Sequence, residues 1–411
     1  MKIAVLTLGC KTNLAESDYM KQLFLKRGHD LVKLKDSPDI CVINTCTVTK
    51  KSDYQCRQII RRALKTGARV YVTGCYSQIS EEEIKRISPE IRIVRNDEKD
   101  YIINVIDDNT ESKTSSKVRI DRARPFVKIQ EGCNFRCSYC VIHRARGRSV
   151  SRQRDEIISE INLLEEAGYD EVVLTGTHIG LYGYDISGRP GLSELIEDIL
   201  QNTKRIRIRL SSLEIHEIDD RLYQLLSEKR IRPHLHIPIQ SADDRILSLM
   251  KRPYNLNMLQ SKLKVLYDIK RDINLGTDII VGFPTEGDSE FYNTYSFLKE
   301  NRINYIHIFP YSDRPGTDAS KMSEKVPEPV KRQRYDILKE LDQSKRRGYR
   351  ESQIGCAVEV VMERMAENGM IKGKSENYLD VMFEAKEFQK GKTVKVKILK
   401  QSGGVLVGST Y

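Results

Sequence analysis

The stretch Glu131–His143, EGCNFRCSYCVIH, sets Cys133, Cys137 and Cys140 within eight positions and follows them with His143. It comes directly after the strand-like run FVKIQ. The three thiols therefore fall on the loop at the C-terminal end of a strand, where a β/α barrel collects its reactive groups. Neighbouring thiolates repel one another and call for a shared cation. With His143 as a fourth ligand the set could close a tetrahedral zinc site, although zinc modules of this kind are usually autonomous knots rather than the first loop of a long βα series. Three cysteines with no fourth protein ligand suit an iron-sulfur cube that leaves one iron open to an outside molecule.

From Pro125 onward, FVKIQ, EVVLTG, RIRIRLSS, HLHIPIQ, LGTDIIVGFP and YIHIFPYS read as six strands, with helical spacing between them in segments such as DEIISEINLLEEAG and GLSELIEDILQN. Six βα units rather than eight predict a partial barrel with an open side. Before them KIAVLTL, DLVKL, DICVINT, RVYVT and IRIV are short apolar runs, several separated by amphipathic helical stretches, which predicts a small parallel-sheet α/β domain. The polar run Asp107 to Lys117 reads as a linker. After about residue 350, AVEVVMER, NYLDVMFEA, KTVKVKILK and GVLVGS alternate in twos between Gly- and Lys-rich turns, which predicts a small antiparallel barrel.

A second group of cysteines lies in the first segment. Cys10 follows KIAVLTLG, Cys46 follows DICVINT and Cys75 follows RVYVTG. Parallel strands carry their C-terminal ends on one crest, so the three converge although they are far apart in sequence. Gly9 and Gly74 stand immediately before two of them and allow the backbone to approach a bulky group. Cys41, Cys56 and Cys356 read as ordinary small apolar residues.

Bulk composition narrows the partners. The chain has 411 residues, nine cysteines and a net charge of +11 with plentiful acidic residues. An odd, clustered cysteine count speaks against a disulfide scaffold and for a reducing compartment. The positive excess favours a polyanion, with nucleic acid first. Arg144, Arg146 and Arg148 follow the cysteine loop and suit phosphates at its mouth. Lys372, Lys374 and Tyr378 in the last segment suit backbone contact and stacking with an RNA loop. No run approaches a membrane span, and neither a P-loop nor a GxGxxG motif is present. His178, His216, His234 and His236 read as buried, satisfied histidines near strand ends.

The C-x3-C-x2-C motif with Tyr139 before its last cysteine resembles the radical S-adenosylmethionine superfamily, in which that aromatic lies near the adenine of the cofactor. Two cysteine trios on two α/β units, followed by a small basic β domain, resemble the methylthiotransferase family over essentially the whole chain. TLGCKTNLAES, NTCTVT and VTGCYSQ match its N-terminal motifs and FVKIQEGCNFRCSYC its core motif. Within the family, GCKTN with NTCTVT is closer to the branch acting on N6-threonylcarbamoyladenosine in tRNA than to the branches acting on isopentenyladenosine or on an aspartate of a ribosomal protein. VIHRARG departs from that branch, which commonly has proline and tyrosine in place of His143 and Arg144.

The resemblance implies three domains: 1–112 with an auxiliary cluster, 118–348 as the radical core, and 349–411 as an RNA-gripping TRAM barrel. It implies two 4Fe-4S clusters, one on Cys133, Cys137 and Cys140 and one on Cys10, Cys46 and Cys75, together with S-adenosylmethionine. Tyr139, Gly176, Thr177, Ser211, Glu214 and Gln240, at strand ends, are the expected cofactor contacts. The expected partners are the tRNA anticodon stem-loop and an electron donor such as flavodoxin or ferredoxin, with the protein in the cytoplasm. A zinc-stabilised RNA-binding module is the non-enzymatic alternative.

Overall fold

The computed structural model describes residues 1–106, 121–270, 272–367 and 369–410. The stretch read as a linker lies outside the described residues. The first segment is a parallel sheet of β1 (Lys2–Thr7), β2 (Asp30–Leu31), β3 (Ile40–Thr45), β4 (Arg69–Gly74) and β5 (Arg92–Ile93), in the order β2-β1-β3-β4-β5. Central β3 is buried at every position, as a strand covered on both faces must be. Helix α1 (Lys11–Lys26) sets Met20 and Phe24 on Ile3, Ile40 and Val42. Helix α2 (Lys50–Leu64) sets Ile60 and Ala63 on Ala4, Cys41 and Ile43. These are alternate positions of the same strands, so the helices cover opposite faces.

The second segment contains all six expected strands: β6 (Phe126–Glu131), β8 (Glu171–Gly176), β9 (Arg207–Leu210), β10 (His234–His236), β11 (Asn274–Val281) and β12 (Tyr305–Pro310). A short antiparallel edge, β7 (Val150–Ser151), is added beside β6. Parallel ladders run β6-β8-β9 and β10-β11-β12. Parallel bridges Ile208–Ile231 and Ser212–His236 carry the curve between them. Asp219, Asp243 and Asn255 cap three of the intervening helices through their side-chain oxygens, which satisfies backbone N–H groups that a helix start otherwise leaves open.

Alternation along these strands separates two environments. Val127, Ile129, Val172, Leu174, Ile208, Leu210 and Leu275 join the large core under the outer helices. Lys128, Glu171, Arg209, His234, Asp278 and Tyr305, at the intervening positions, face inward. An ordinary closed barrel fills that space with branched apolar side chains. Here it is polar and charged, and α1 lies along it with Glu16 Oε1 3.4 Å from Lys128 Nζ.

The third segment is a closed barrel of β13 (Ala357–Met365), β14 (Ile371–Ser375), β15 (Asp380–Glu384), β17 (Val405–Thr410) and β16 (Thr393–Ser402). Two features differ from the sequence expectation. The run IKGKS, read as a turn, is strand β14, and its small, lysine-bearing composition hides a residue paired on both sides. The pairing of β15 with β17 is parallel in an otherwise antiparallel barrel. This barrel closes the N-terminal ends of the βα strands: Arg209 Nη2 donates to Ser375 O at 3.2 Å, and Asn274 Nδ2 to Asn377 O at 2.7 Å.

A buried ion cluster holds that floor. Glu171 receives Arg209 Nε at 2.7 Å and Arg232 Nε at 2.6 Å, and Arg232 Nη1 reaches Glu359 across the segment boundary at 2.7 Å. Burial alone would raise the Glu171 carboxyl, but Arg209, Arg232 and Arg124 hold it down at about 2. A carboxyl depressed in the folded state stabilises the fold above its unfolded value near 4.5, and that contribution is lost as pH falls toward about 2. In urea titrations the wild type should lose stability steeply across that window. Glu171→Gln should be weaker at neutral pH by roughly 3–5 kcal/mol, since two guanidinium groups lose their buried counter-charge, and should decline less steeply. An unchanged slope would place the acid sensitivity elsewhere.

Candidate active site

Each cysteine of the first trio stands just beyond a strand end: Cys10 after β1, Cys46 after β3 and Cys75 after β4. These three strands are adjacent and parallel, with Thr7 opposite Asn44 and Thr45 opposite Gly74. The expected crest is therefore present. Gly9 has φ +110°, and a Cβ there would lie 2.7 Å from Cys46 Cβ; Gly74 has φ +101°, and a Cβ there would lie 2.3 Å from Thr45 O. No side chain fits at either position, so both glycines let neighbouring strands bring their cysteines together. Cys56 packs behind, its Sγ 3.3 Å from Cys46 O. Cys356, expected to be a small apolar residue, is exposed at the entry to the third segment, while Cys41 is buried within β3.

The second trio follows β6 as expected. Gln130 organises the loop: its amide donates to Glu131 O, Gly132 O and Ser149 Oγ at 2.7–2.8 Å, and its Oε1 receives His178 N–H at 2.8 Å. Arg252 donates to Cys137 Sγ at 3.3 Å and is ion-paired with Glu214. His178 Nδ1 lies 3.2 Å from Cys133 Sγ. Ser138, between the cysteines, donates through N–H to Met250 O and accepts Ala319 N–H. Sequence reasoning missed Gln130 and Arg252. Each is an ordinary polar residue locally, and only the fold brings it to the loop.

Of the expected cofactor contacts, Glu214 shares Arg252 with Cys137, and the others lie on the cysteine loop or at or just past strand ends. Tyr139 packs on Ile246, Met250, Phe283 and Tyr311. Gly176 lies where a Cβ would meet Gln130 O at 2.8 Å, and Thr177 Oγ1 is buried without a hydrogen-bond partner. Ser211 is buried just past the end of β9. Gln240 has φ +66°, a strained value for a side-chain-bearing residue, and its N–H bonds Asp278 O at 2.8 Å. Gly176, Thr177, Ser211, Glu214 and Gln240 come from three different strand ends, which is how a barrel assembles a site.

The segments that carry the two trios meet. The short helix Cys75–Ile79 packs on Ile142–Arg146, and Asn96 Nδ2 donates to Ala145 O at 2.5 Å. Arg146, expected at an RNA-facing mouth, is instead buried, with 7% of its surface accessible. Its guanidinium donates to Cys75 Sγ at 3.1 Å, Asn13 Oδ1 at 2.5 Å and Glu16 Oε1 at 2.8 Å, and also pairs with Glu131. Lys99 Nζ completes the cluster 2.6 Å from Glu16. Despite burial, Arg146 and Lys99 hold Glu16 well below the usual carboxylate range. Arg144 and Arg148 do remain exposed. Tyr378, expected to stack on RNA, points instead to the barrel floor with its ring 4.4 Å from His234. Lys372 and Lys374 are half-buried on β14, with Lys374 2.5 Å from Asp380.

The donor chemistry suits clusters. Burial and the adjacent Cys137 push the Cys140 thiol up to about 12, and burial pushes Cys46 to about 11, so these groups give up their protons only to a bound cation. A single ion is a poorer match. Among the described residues, the set of three or more His, Cys or acidic ligand atoms all within 4.8 Å of one another is His236, Asp278 and His307, and neither cysteine trio, with or without His143, is such a set.

Partial barrel, cysteine loop and strand-end residues together define a radical S-adenosylmethionine enzyme. Residues 127–298 match the radical SAM superfamily and residues 2–96 the family described as uncharacterized protein family UPF0004. The chain is similar to threonylcarbamoyladenosine tRNA methylthiotransferase MtaB of Aquifex aeolicus, with 38% identity covering 97% of this chain and 100% of that one, and to MtaB of Bacillus subtilis, with 36% identity over 97% and 94%. It also resembles the tRNA-2-methylthio-N(6)-dimethylallyladenosine synthase of Fervidobacterium nodosum, at 29% identity over 99% and 98%. Among solved structures, the radical S-adenosylmethionine methyltransferase TsrM of Kitasatospora setae, with cobalamin and a [4Fe-4S] cluster bound, shares the fold at TM-score 0.59 and 13% identity, covering 78% of this chain and 77% of that one. The chain belongs to the radical S-adenosylmethionine methylthiotransferases, as an MtaB-like member.

Arg146 offers a direct check of how the two crests are joined. Arg146→Gln should lower the unfolding free energy of the reduced, metal-free protein by roughly 3 kcal/mol, because Glu16 and Glu131 lose a buried partner. Arg146→Lys should restore only part of it, since one ammonium cannot span four acceptors. Urea unfolding measures both, and a loss within 0.5 kcal/mol (about the scatter of surface substitutions) would mean the guanidinium is not the joint.

Proposed function

We propose that this enzyme adds a methylthio group to carbon 2 of N6-threonylcarbamoyladenosine at position 37 of tRNA, beside the anticodon, using two 4Fe-4S clusters and S-adenosylmethionine. One observation carries the reading: Arg146, from the segment just after the second thiol trio, bonds Cys75 of the first and Glu131 beside the second. A reaction that must both activate an inert C–H bond and deliver sulfur needs two such centres side by side. When bound at Cys133, Cys137 and Cys140, the cluster and S-adenosylmethionine supply the radical reactivity that side chains lack. Cys10, Cys46 and Cys75 would hold the second cluster.

The chain's own residues do the positioning. Arg252 orients Glu214 and Cys137 together. Tyr139 and its apolar neighbours exclude water on one side of the loop. Thr177 Oγ1 and the strained Gln240 stand ready for polar groups of the cofactor. Exposed Arg144 and Arg148 suit tRNA phosphates near the site, and Lys372 and Lys374 suit them on the third segment. The relatives named for threonylcarbamoyladenosine support this substrate. Nine free cysteines suit a reducing cytoplasm in which an electron donor such as flavodoxin or ferredoxin is at hand.

Mass spectrometry of tRNA from a deletion strain should reveal threonylcarbamoyladenosine without its methylthio form, which returns on complementation; an unaltered methylthio level would refute the reading, and loss on isopentenyladenosine would move the substrate. Anaerobic protein should carry about eight irons, and a Cys10, Cys46, Cys75 triple alanine variant about half. If the tRNA is held mainly through phosphates, raising salt from about 50 to 200 mM should weaken binding by orders of magnitude.

A further inference from the structure

Lys11 is the residue after Cys10, and its side chain runs into the barrel interior, where Nζ lies 5.4 Å from the centre of the Tyr378 ring. Arg124, Arg209 and Lys374 approach the same ring at 5.4, 5.1 and 4.8 Å. Three of these four cations have a carboxylate: Arg124 has Glu363 at 2.7 Å, Arg209 has Glu171 at 2.7 Å and Lys374 has Asp380 at 2.5 Å. Among the described residues no carboxylate pairs with Lys11, whose charged neighbours at this ring are the cations Arg209 and Arg124. Arg209 Nη1 and His234 Nδ1, on fully buried side chains beside the ring, have no hydrogen-bond partner.

A cation drawn partly out of water without a counter-charge is costly and is usually paired. The cations at the ring draw the Tyr378 phenol down against the effect of burial. This patch of the interior thus gathers four cations around one ring, with carboxylates on three of them. Lys11 and Tyr378 are only half-buried, so a ligand can reach them.

We propose that Lys11, backed by Tyr378 and the Arg209 guanidinium, receives the free carboxylate of the threonylcarbamoyl group of the substrate. This rests on the function proposed above. The threonine joined through its amine keeps one carboxylate, whereas a dimethylallyl group has no charge to offer and would bury the cations without compensation. Because Lys11 adjoins Cys10, a carboxylate held there keeps the attached adenine close to the auxiliary thiols. The cluster is thus a specificity device built into the loop that carries the first cysteine.

The test is anaerobic fluorescence anisotropy of the cluster-loaded enzyme with anticodon stem-loops carrying threonylcarbamoyladenosine, its methyl ester or plain adenosine. The wild type should hold the acid roughly 10- to 100-fold more tightly than the ester, as a charge-assisted contact implies. Lys11→Gln should abolish that gap while leaving affinity for the ester unchanged, and Lys11→Arg should keep most of it. Iron and sulfide analysis of each variant separates this from damage to the neighbouring cysteine, and the wild-type comparison of acid with ester does not depend on any variant. Equal affinity for acid and ester, as a backbone phosphate in the cluster would produce, overturns the proposal, as does a gap that survives in Lys11→Gln. If the wild type methylthiolates the modified tRNA yet binds acid and ester alike, only the carboxylate contact fails. If it discriminates acid from ester but never methylthiolates that tRNA, the substrate reading falls and the carboxylate site stands.

Discussion

The buried guanidinium of Arg146 is the joint on which the arrangement depends. It comes from the end of the short helix after the second cysteine trio, touches Cys75 of the first, and is neutralised by Glu16 of α1 and Glu131 of β6. A planar group with five donors can serve four acceptors in fixed directions, which an ammonium cannot. Because the charge is desolvated, losing one partner is penalised heavily. The two crests are therefore held in one relation rather than left to slide on a flexible contact. A second brace, Arg314 from the loop after β12, donates to Asp53 at 2.7 Å and to the Thr47 carbonyl, just past Cys46.

The polar barrel interior follows from the same need. A closed barrel with an apolar core has no room for a ligand, whereas six strands leave a side open, and inward positions carrying Lys128, Glu171, Arg209, His234 and Asp278 keep the space polar and charged. Such an interior cannot hold itself together by hydrophobic burial. The stability comes from outside, where Val, Leu and Ile at alternate positions pack under the helices, and from below, where the third segment's Glu359, Ser375 and Asn377 bind Arg232, Arg209 and Asn274. The third segment is thus a structural floor to the radical core as well as a surface. That accounts for Tyr378: its place in the turn after β14, with φ +69°, aims it at the interior instead of outward.

Much of this was legible in residue order. All six core strands, the five runs of the first sheet and both cysteine crests are where period-two alternation and strand ends predict them, because a buried parallel strand must be apolar along its length and its C-terminal end must share an edge with its neighbours. Strand β14 escaped because glycine and lysine hide a pairing that only β13 and β15 reveal. Arg146 was misread for a related reason. In RARGR it looks the same as Arg144 and Arg148, and nothing local says which of three arginines meets a buried glutamate from 130 residues earlier.

The sequence by itself determined the number of strands, the two sets of three thiols and their position at strand ends, since these depend on hydrophobic periodicity and on where cysteines fall relative to it. Only the tertiary structure decided which charges are buried together. Arg146 with Glu16, Arg252 with Glu214, and Lys11 among cations with no acid of its own are outcomes of long-range packing, where a charge's environment is set by what the fold brings within a few ångströms and not by its neighbours along the chain.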